Sequence, residues 1–353
     1  MTSDYSRISD TAKAIDPCIE PALLSYLASL PSSAAGKQPG SPFVIADYGA
    51  ADGVNSSQLF ERIIRFLRKK HPLMSIRLVY IDIADPAPFH HFWKGSGLSG
   101  LPRVEAEYFQ RSFYDPLPDL AGSVDIGISS TSLHWLNTKT VDARFFHHPT
   151  LIQANQLPAS ERKKFVRKWI GDWRVFFRER SRDIAPEGML YLATLTDLGG
   201  DRWPASAGYN NLRAVCVSLY QEGRISKQEL DAIFIPDYFA TPEEIASLVA
   251  EEGISQHFSL KSLKTLTVPC AYRCRMQDTG NDARKRQHLA YSLARVVRAW
   301  SESSIRVGLS PDHEDLIDEI YRRLAERFFE RPEGLPYQYC LMEFLKRNII
   351  PGD

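Results

Sequence analysis

The chain has 353 residues and a mass of 40.0 kDa, enough for one elaborated domain or two sharing an interface. With 44% hydrophobic and 24% charged residues it can bury a sizeable core, which excludes a mainly disordered chain. Lys plus Arg (43) equals Asp plus Glu (43), so the charge gives no case for nucleic acid or an anionic membrane as partner.

No run approaches the roughly 18 apolar residues of a membrane span, and the start, MTSDYSRISD, lacks the basic and apolar regions of a signal peptide. A cytoplasmic protein is the expectation. The five cysteines are scattered and odd in number, which suits reduced, structural thiols. Cys270 and Cys274 have no second pair or nearby His to complete a zinc set, and no metal site is expected. His90-His91 and His147-His148 read as surface or loop residues.

Residues 31–42, PSSAAGKQPGSP, form a connector after an N-terminal arm, 1–40, that would serve as a lid. FVIAD, 43–47, is a short continuous apolar run of the kind buried inside a parallel sheet. From Asn55, Leu59, Ile63, Phe66 and Leu67 recur at helical spacing, and the last turn is basic as the helix dipole favours. SIRLVYID, 75–82, reads as the second strand and completes a right-handed βαβ unit. Further strands are expected at 104–109, 124–130, 189–195, 258–263 and 337–345. A helix over 160–183 carries Phe165, Trp169, Trp173 and Phe176 on one face and five basic residues, 162–164, 167 and 168, on a face expected to be solvated. Two short helices are expected within 196–250, one starting at Thr241-Pro242-Glu243-Glu244, and two more at 282–304 and 312–330.

The segment Asp47-Tyr48-Gly49-Ala50-Ala51-Asp52-Gly53-Val54-Asn55 follows the first strand. Small residues let a ligand approach the backbone, and the next helix offers free N–H groups. A dinucleotide site would carry a third Gly and no flanking acids. Asp47 and Asp52 would repel a pyrophosphate but not a ligand carrying an amine and a sulfonium. Asp82 ends the second strand, where a carboxylate can accept both hydroxyls of a ribose.

Ser129-Ser130-Thr131-Ser132-Leu133-His134-Trp135-Leu136 resembles the S-S-Y-S-L-H-W-L segment of the SABATH methyltransferases, which use S-adenosyl-L-methionine (SAM). In order along the chain, Ile45 to Asn55 is similar to their I-A-D-L-G-C-S-S-G-P-N and Ser112-Phe113-Tyr114 to their G-S-F-Y. Asp172 to Arg180 with Ala185 to Met189 resembles their D-F-x-x-F-L helix and following strand, and Gly223 to Pro236 their G-x-I, L-D-x-F-N-I-P stretch.

The resemblance implies an α/β fold: a class I SAM-methyltransferase, Rossmann-like sheet with an α-helical cap over the active site. The SAM-binding core would span 41–195, completed by 255–270 and 335–350, and the cap 196–254 and 271–334. It places Tyr5, Ser9, Asp47, Gly49 and Asn55 on the cofactor side, with Ser9 and Asp47 near the methionine end. Asp82 would hold the ribose, Ile83 would pack on the adenine, Ser112 and Phe113 would enclose it, and Ser129 would line the same pocket. His134 and Trp135 would face the substrate, the indole N–H donating to a carboxylate.

The implied reaction converts the carboxylate of a small organic acid into a methyl ester and SAM into S-adenosyl-L-homocysteine. An ionised acid needs no base, so no catalytic acid or base is named. A homodimer is implied as well. The substrate anchors depart from the family: its Gln is Ala12, its upstream Lys has no counterpart, and its Tyr is Thr131. Its Asn in F-N-I-P is Phe234, which weakens a magnesium site. Three rivals stay open: methylation of a phenol or ring nitrogen with His134 as base, a nicotinamide oxidoreductase, and a SAM-binding protein without turnover.

Overall fold

The computed structural model describes residues 10–30, 41–149, 151–200, 203–280 and 282–348. The described structure opens with a single helical turn, Asp10–Lys13, followed by helix α1 (Asp16–Ser29), β1 (Phe43–Tyr48), α2 (Val54–Lys70), β2 (Ile76–Asp82), α3 (Pro86–Gly95) and β3 (Val104–Gln110). After β4 (Val124–Ser130) comes the long helix α4 (Ala159–Asp183), which runs directly into β5 (Ile184–Leu195). Next come α5 (Ser206–Gln221), α6 (Lys227–Ala232) and α7 (Pro242–Val249), and a single helical turn, Glu252–Ser255, leads into β6 (Phe258–Val268). Helices α8 (Ala271–Gln277), α9 (Ala283–Gly308) and α10 (Leu316–Glu330) lead to the last strand, β7 (Tyr337–Lys346).

The apolar runs become strands buried on both faces. All six residues of β1 are buried, with Phe43 and Ile45 in one core and Val44, Ala46 and Tyr48 in the other. The sheet order is β3-β2-β1-β4-β5-β7-β6. The first five strands are parallel, whereas β7 runs antiparallel to both β5 and β6. Strand order reverses between β1 and β4, which opens a crevice at their carboxyl ends where ligands of open α/β sheets bind.

One core packs α1, α2 and α3 on the sheet and continues into α5, α9 and α10. The other packs α4 and α7 on the opposite face. Thr241 caps α7 as its sequence predicts: its side chain accepts the Glu244 N–H, and the Glu244 carboxylate accepts the Thr241 N–H at 2.9 Å.

Some elements differ from the sequence reading. Within the expected arm, Asp16–Ser29 forms α1, and its Ile19, Leu23 and Leu27 are buried. Pro17 and Pro21 hide this helix: Pro17 lies in the first turn, whose N–H groups lack intrahelical partners anyway, whereas Pro21 sits inside and gives up one intrahelical bond. The stretch 196–250 holds three helices rather than two, and α10 starts at Leu316 because Pro311–His313 is a short 3-10 turn. The basic face of α4 is not simply solvated. Lys168 pairs with the buried Asp172, and Lys164 donates to the Phe145 carbonyl at 2.7 Å over the Phe145 and Phe165 rings. Two thiols, Cys18 and Cys274, are exposed rather than structural, whereas Cys216, Cys270 and Cys340 are buried. Among the described residues no helix is long and apolar enough to cross a membrane, and no group of three His, Cys, Asp or Glu is placed to hold a metal.

Candidate active site

The turn after β1 is shaped by close approach. Gly49 has φ +92°, and a Cβ there would lie 2.3 Å from the Ser132 hydroxyl. That hydroxyl donates to the Gly49 carbonyl at 3.0 Å, so the turn and the segment after β4 are locked at contact distance. Asp82, at the end of β2, accepts the Ala51 N–H at 2.8 Å and the Ala84 N–H at 2.9 Å. Two N–H groups occupy about half of a carboxylate's roughly four acceptor sites, so Asp82 keeps capacity for further donors.

Three cavities meet here. The largest, about 410 Å³, is lined by Asp82, Ile83, Ser112, Phe113 and Trp135, with Trp300 and Ser303 of α9 above. A chamber of about 40 Å³ lies between Asp16, Asp47 and Asn55. A third space, about 20 Å³, is bounded by His134, Trp135, Tyr209, Trp300 and Tyr337. Gly49 and Ser132 border the first and second, Thr131 the second and third, and Trp135 and Trp300 the first and third. Those five residues form the junction.

Burial sets the charge states. The Asp47 carboxyl is pushed up to about 7, chiefly by burial; a Ser56 hydrogen bond opposes this, and Asp82 and Asp16 add to it. Asp16 is raised to about 6 by burial, against the pull of Arg62. Enclosure pushes the His134 imidazole down to about 3, and its Nδ1 has no partner. Asp237 is fully buried and raised to about 7 by that burial, opposed by hydrogen bonds from Tyr209 and Gln153. The Tyr209 hydroxyl donates to Asp237, whose second oxygen, Oδ1, is unpartnered.

Neighbouring elements hold the lining in place. Arg180 of α4 is fully buried, with Nε 2.6 Å from Asp183 and its guanidinium 4.8 Å from the centre of the Tyr48 ring. Its other nitrogens donate to the Phe113 carbonyl and, at 2.9 Å, to the Asp115 carbonyl, which ties down the loop carrying Ser112 and Phe113. The His134–Leu136 segment is zipped to residues 236–238: Leu136 N–H donates to Pro236 at 2.9 Å, and Tyr238 N–H to His134 at 2.9 Å. Asp172 accepts the Asn137 N–H at 2.8 Å and fixes the next turn.

The expected site residues therefore fall into groups. Gly49, Asp82, Ile83, Ser112, Phe113 and Trp135 surround the large cavity, Asp47 and Asn55 the chamber, and His134 the small space. Tyr5 and Ser9 lie outside the described residues. Ser129 lines none of the three: its hydroxyl is buried and donates to the Tyr48 carbonyl at 2.8 Å, while Ser130 and Ser132 border the chamber. Sequence reasoning missed Asp16 and Asp237, and it offers Tyr209 only as one of several aromatic residues between 196 and 250 of which two or three would touch the acceptor.

The donor set fits a cofactor with a ribose and a cationic amino-acid tail. Asp82 retains acceptor capacity, the chamber has two carboxylates and no lining Lys or Arg among the described residues, and the enclosed Asn55 Oδ1 has no partner. Strand order and acidic turn together define a class I SAM-dependent methyltransferase.

A family profile described as SAM dependent carboxyl methyltransferase matches residues 104–345. The benzoic acid/salicylic acid carboxyl methyltransferase 3 of Petunia hybrida is 24% identical over 297 residues, 80% of this chain and 78% of that one. The jasmonate O-methyltransferase of Arabidopsis thaliana is 24% identical over 211 residues, 56% of this chain and 54% of its own length. A 3,7-dimethylxanthine N-methyltransferase of Camellia sinensis is 23% identical over 340 residues, 92% and 87% of the two chains. A solved loganic acid methyltransferase with S-adenosylhomocysteine has the same fold, at TM-score 0.74 and 15% identity over 99% of this chain and 97% of that one. The chain belongs to the SAM-dependent carboxyl methyltransferase (SABATH) family. SAM is its cofactor.

Proposed function

We propose that this enzyme methylates the carboxylate of a small organic acid, giving a methyl ester. The state of His134 carries the reading. The imidazole bordering the acceptor side is held neutral at about 3, so it takes up no proton at neutral pH. An acceptor that arrives ionised needs no proton removed, and a carboxylic acid does so. His134 as base for a phenol or ring nitrogen is correspondingly disfavoured.

SAM, when bound, supplies an electrophilic methyl group on a positively charged sulfur. Asp82 would hold the ribose, Ile83, Ser112 and Phe113 the adenine, and Asp47 with Asn55 the amino-acid tail. Trp135 lines both the large cavity and the small space, where its indole N–H can orient a carboxylate oxygen. Trp300 and Tyr337 exclude water from the acceptor side. The aromatic walls suit a small apolar or aromatic acid.

One observation favours a second reading. Tyr209 lines the small space and its hydroxyl proton points to the buried Asp237, so this pair can take a proton from a phenol or N–H acceptor. The experiment uses methyl-labelled SAM with a panel of aromatic, indolic, fatty, terpenoid and dicarboxylic acids, followed by mild base. Label released as methanol supports the ester reading. Base-stable label overturns it in favour of Tyr209 and Asp237.

A further inference from the structure

The chamber beside the β1 turn contains a residue that the family resemblance does not place there. Ala12 occupies the position of the family's Gln, and four residues further on, at the start of α1, Asp16 lines the same chamber. That chamber, about 40 Å³, has room for a small group and little more.

Its polar lining sets two carboxylates and one amide beside the hydroxyls of Ser56, Ser130, Thr131 and Ser132, of which Ser56 hydrogen-bonds Asp47. The Asp47 and Asp16 carboxylates face it, and the Asn55 Oδ1 is enclosed there without a partner. No Lys, Arg or His lines it among the described residues. The cation nearest Asp16 on α2, Arg62, has its Nε 2.8 Å from Glu20. The enclosed Asp47 and the half-buried Asp16, whose charge pushes Asp47 up, have no lining cation between them among the described residues, and a positive ligand would complete the site. A primary ammonium has three N–H donors in a compact head, matching three acceptors from three elements.

We propose that Asp16, together with Asp47 and the Asn55 Oδ1, binds the ammonium of the cofactor's amino-acid tail. The inference rests on the SAM dependence of the family and not on which acceptor is methylated.

The test compares two ligands that differ in that tail. S-adenosylhomocysteine carries the ammonium, whereas 5′-methylthioadenosine has the same nucleoside and thioether without it. Their dissociation constants are measured calorimetrically on the wild-type chain, Asp16→Asn and Asp16→Glu, with melting temperatures of the free proteins as a check on folding. Asp16→Asn is expected to weaken S-adenosylhomocysteine roughly tenfold to a hundredfold, as for a lost charged contact. It should change 5′-methylthioadenosine by less than about twofold, and Asp16→Glu should recover part of the loss. Unchanged S-adenosylhomocysteine binding overturns the assignment. Equal weakening of both ligands also overturns it, since Asp16 would then shape the pocket rather than hold the amine. If Asp16→Asn does not fold, the same ligand difference is read on Asp16→Glu. Binding of neither ligand by the wild-type chain would instead remove the cofactor reading itself, a result distinct from either.

Discussion

Trp135, which borders two of the cavities, and the fully buried Asp237 have separable jobs. The Trp135 indole is the donor proposed for the acceptor, and phenylalanine keeps the ring while removing the N–H. Loss of one hydrogen bond to a charged group is worth about 1.5–3 kcal/mol, so Trp135→Phe should raise the KM for the acid by roughly tenfold or more. S-adenosylhomocysteine affinity should stay within about twofold. Steady-state kinetics beside calorimetry check this, and an unchanged KM removes the donor role. Asp237 is opposite in kind: it is fully buried, and its Oδ2 holds the Tyr209 hydroxyl. Its carboxyl is raised to about 7, so ionisation destabilises the fold progressively as pH rises from about 4 through about 7. Asp237→Asn keeps an acceptor for Tyr209 and removes the charge. The variant is expected to match wild type near pH 4 and to be more stable near pH 8 by up to roughly 4 kcal/mol. Urea unfolding at the two pH values measures the difference. Retained turnover in that variant goes with the ester reading, because an ionised acceptor gives Asp237 no proton to take.

At the scale of elements, α4 does for the cofactor loop what the sheet does for the turn. Arg180 is matched to Asp183 on its own helix and reaches the carbonyls of Phe113 and Asp115. Removing one partner of a buried pair leaves a charge uncompensated, at roughly 3–5 kcal/mol. Arg180→Met should lose about that much stability and weaken S-adenosylhomocysteine binding. Adding Asp183→Asn should restore part of the stability but not the affinity, since the loop carbonyls stay unheld. Chemical denaturation and binding on the two variants separate the effects; recovery of both together would show that Arg180 acts through stability alone. What was legible in the sequence follows the same division. The β1 turn and Asp82 could be read because their chemistry sits in contiguous residues at strand ends, where the βαβ pattern fixes their placement. Asp16 could not, since α1 begins at an Asp-Pro pair with a second proline inside, which masks the four-residue spacing of Ile19, Leu23 and Leu27. Tyr209 lies on α5 and Asp237 in the segment before α7, and only tertiary packing brings that hydroxyl to that carboxylate. Ser129 was misplaced for a local reason: its neighbours at 130 and 132 border the chamber, while its own hydroxyl is spent on the Tyr48 carbonyl.

Across the molecule, the fold carries several buried carboxyls whose ionisation it resists: Asp16 and Asp183 at about 6, Asp47 and Asp237 at about 7. All are raised above the ordinary value of 3.8, so the unfolded chain loses these protons first. Stability of the free protein is therefore fullest below about pH 4 as far as these groups are concerned, and it is lost as pH rises through 6 and 7. The cofactor's ammonium has the opposite effect on the two carboxyls it meets. Asp16 feels Arg62 and Lys13 as cations and Glu20 as an acid, and Asp47 feels Asp82, Asp16 and the Ser56 hydroxyl. Adding a cation between them favours their charged forms, so binding near pH 6 must release protons. S-adenosylhomocysteine affinity is then expected to rise by roughly tenfold between pH 5.5 and 7.5, over the same range in which the free protein's melting temperature falls. The ligand-induced increase in melting temperature should widen accordingly. Calorimetry in two buffers of different ionisation enthalpy gives the proton count directly, and Asp16→Asn should lower that count. An affinity that does not change with pH, with no proton released, would mean that the chamber's carboxylates and the ammonium do not meet.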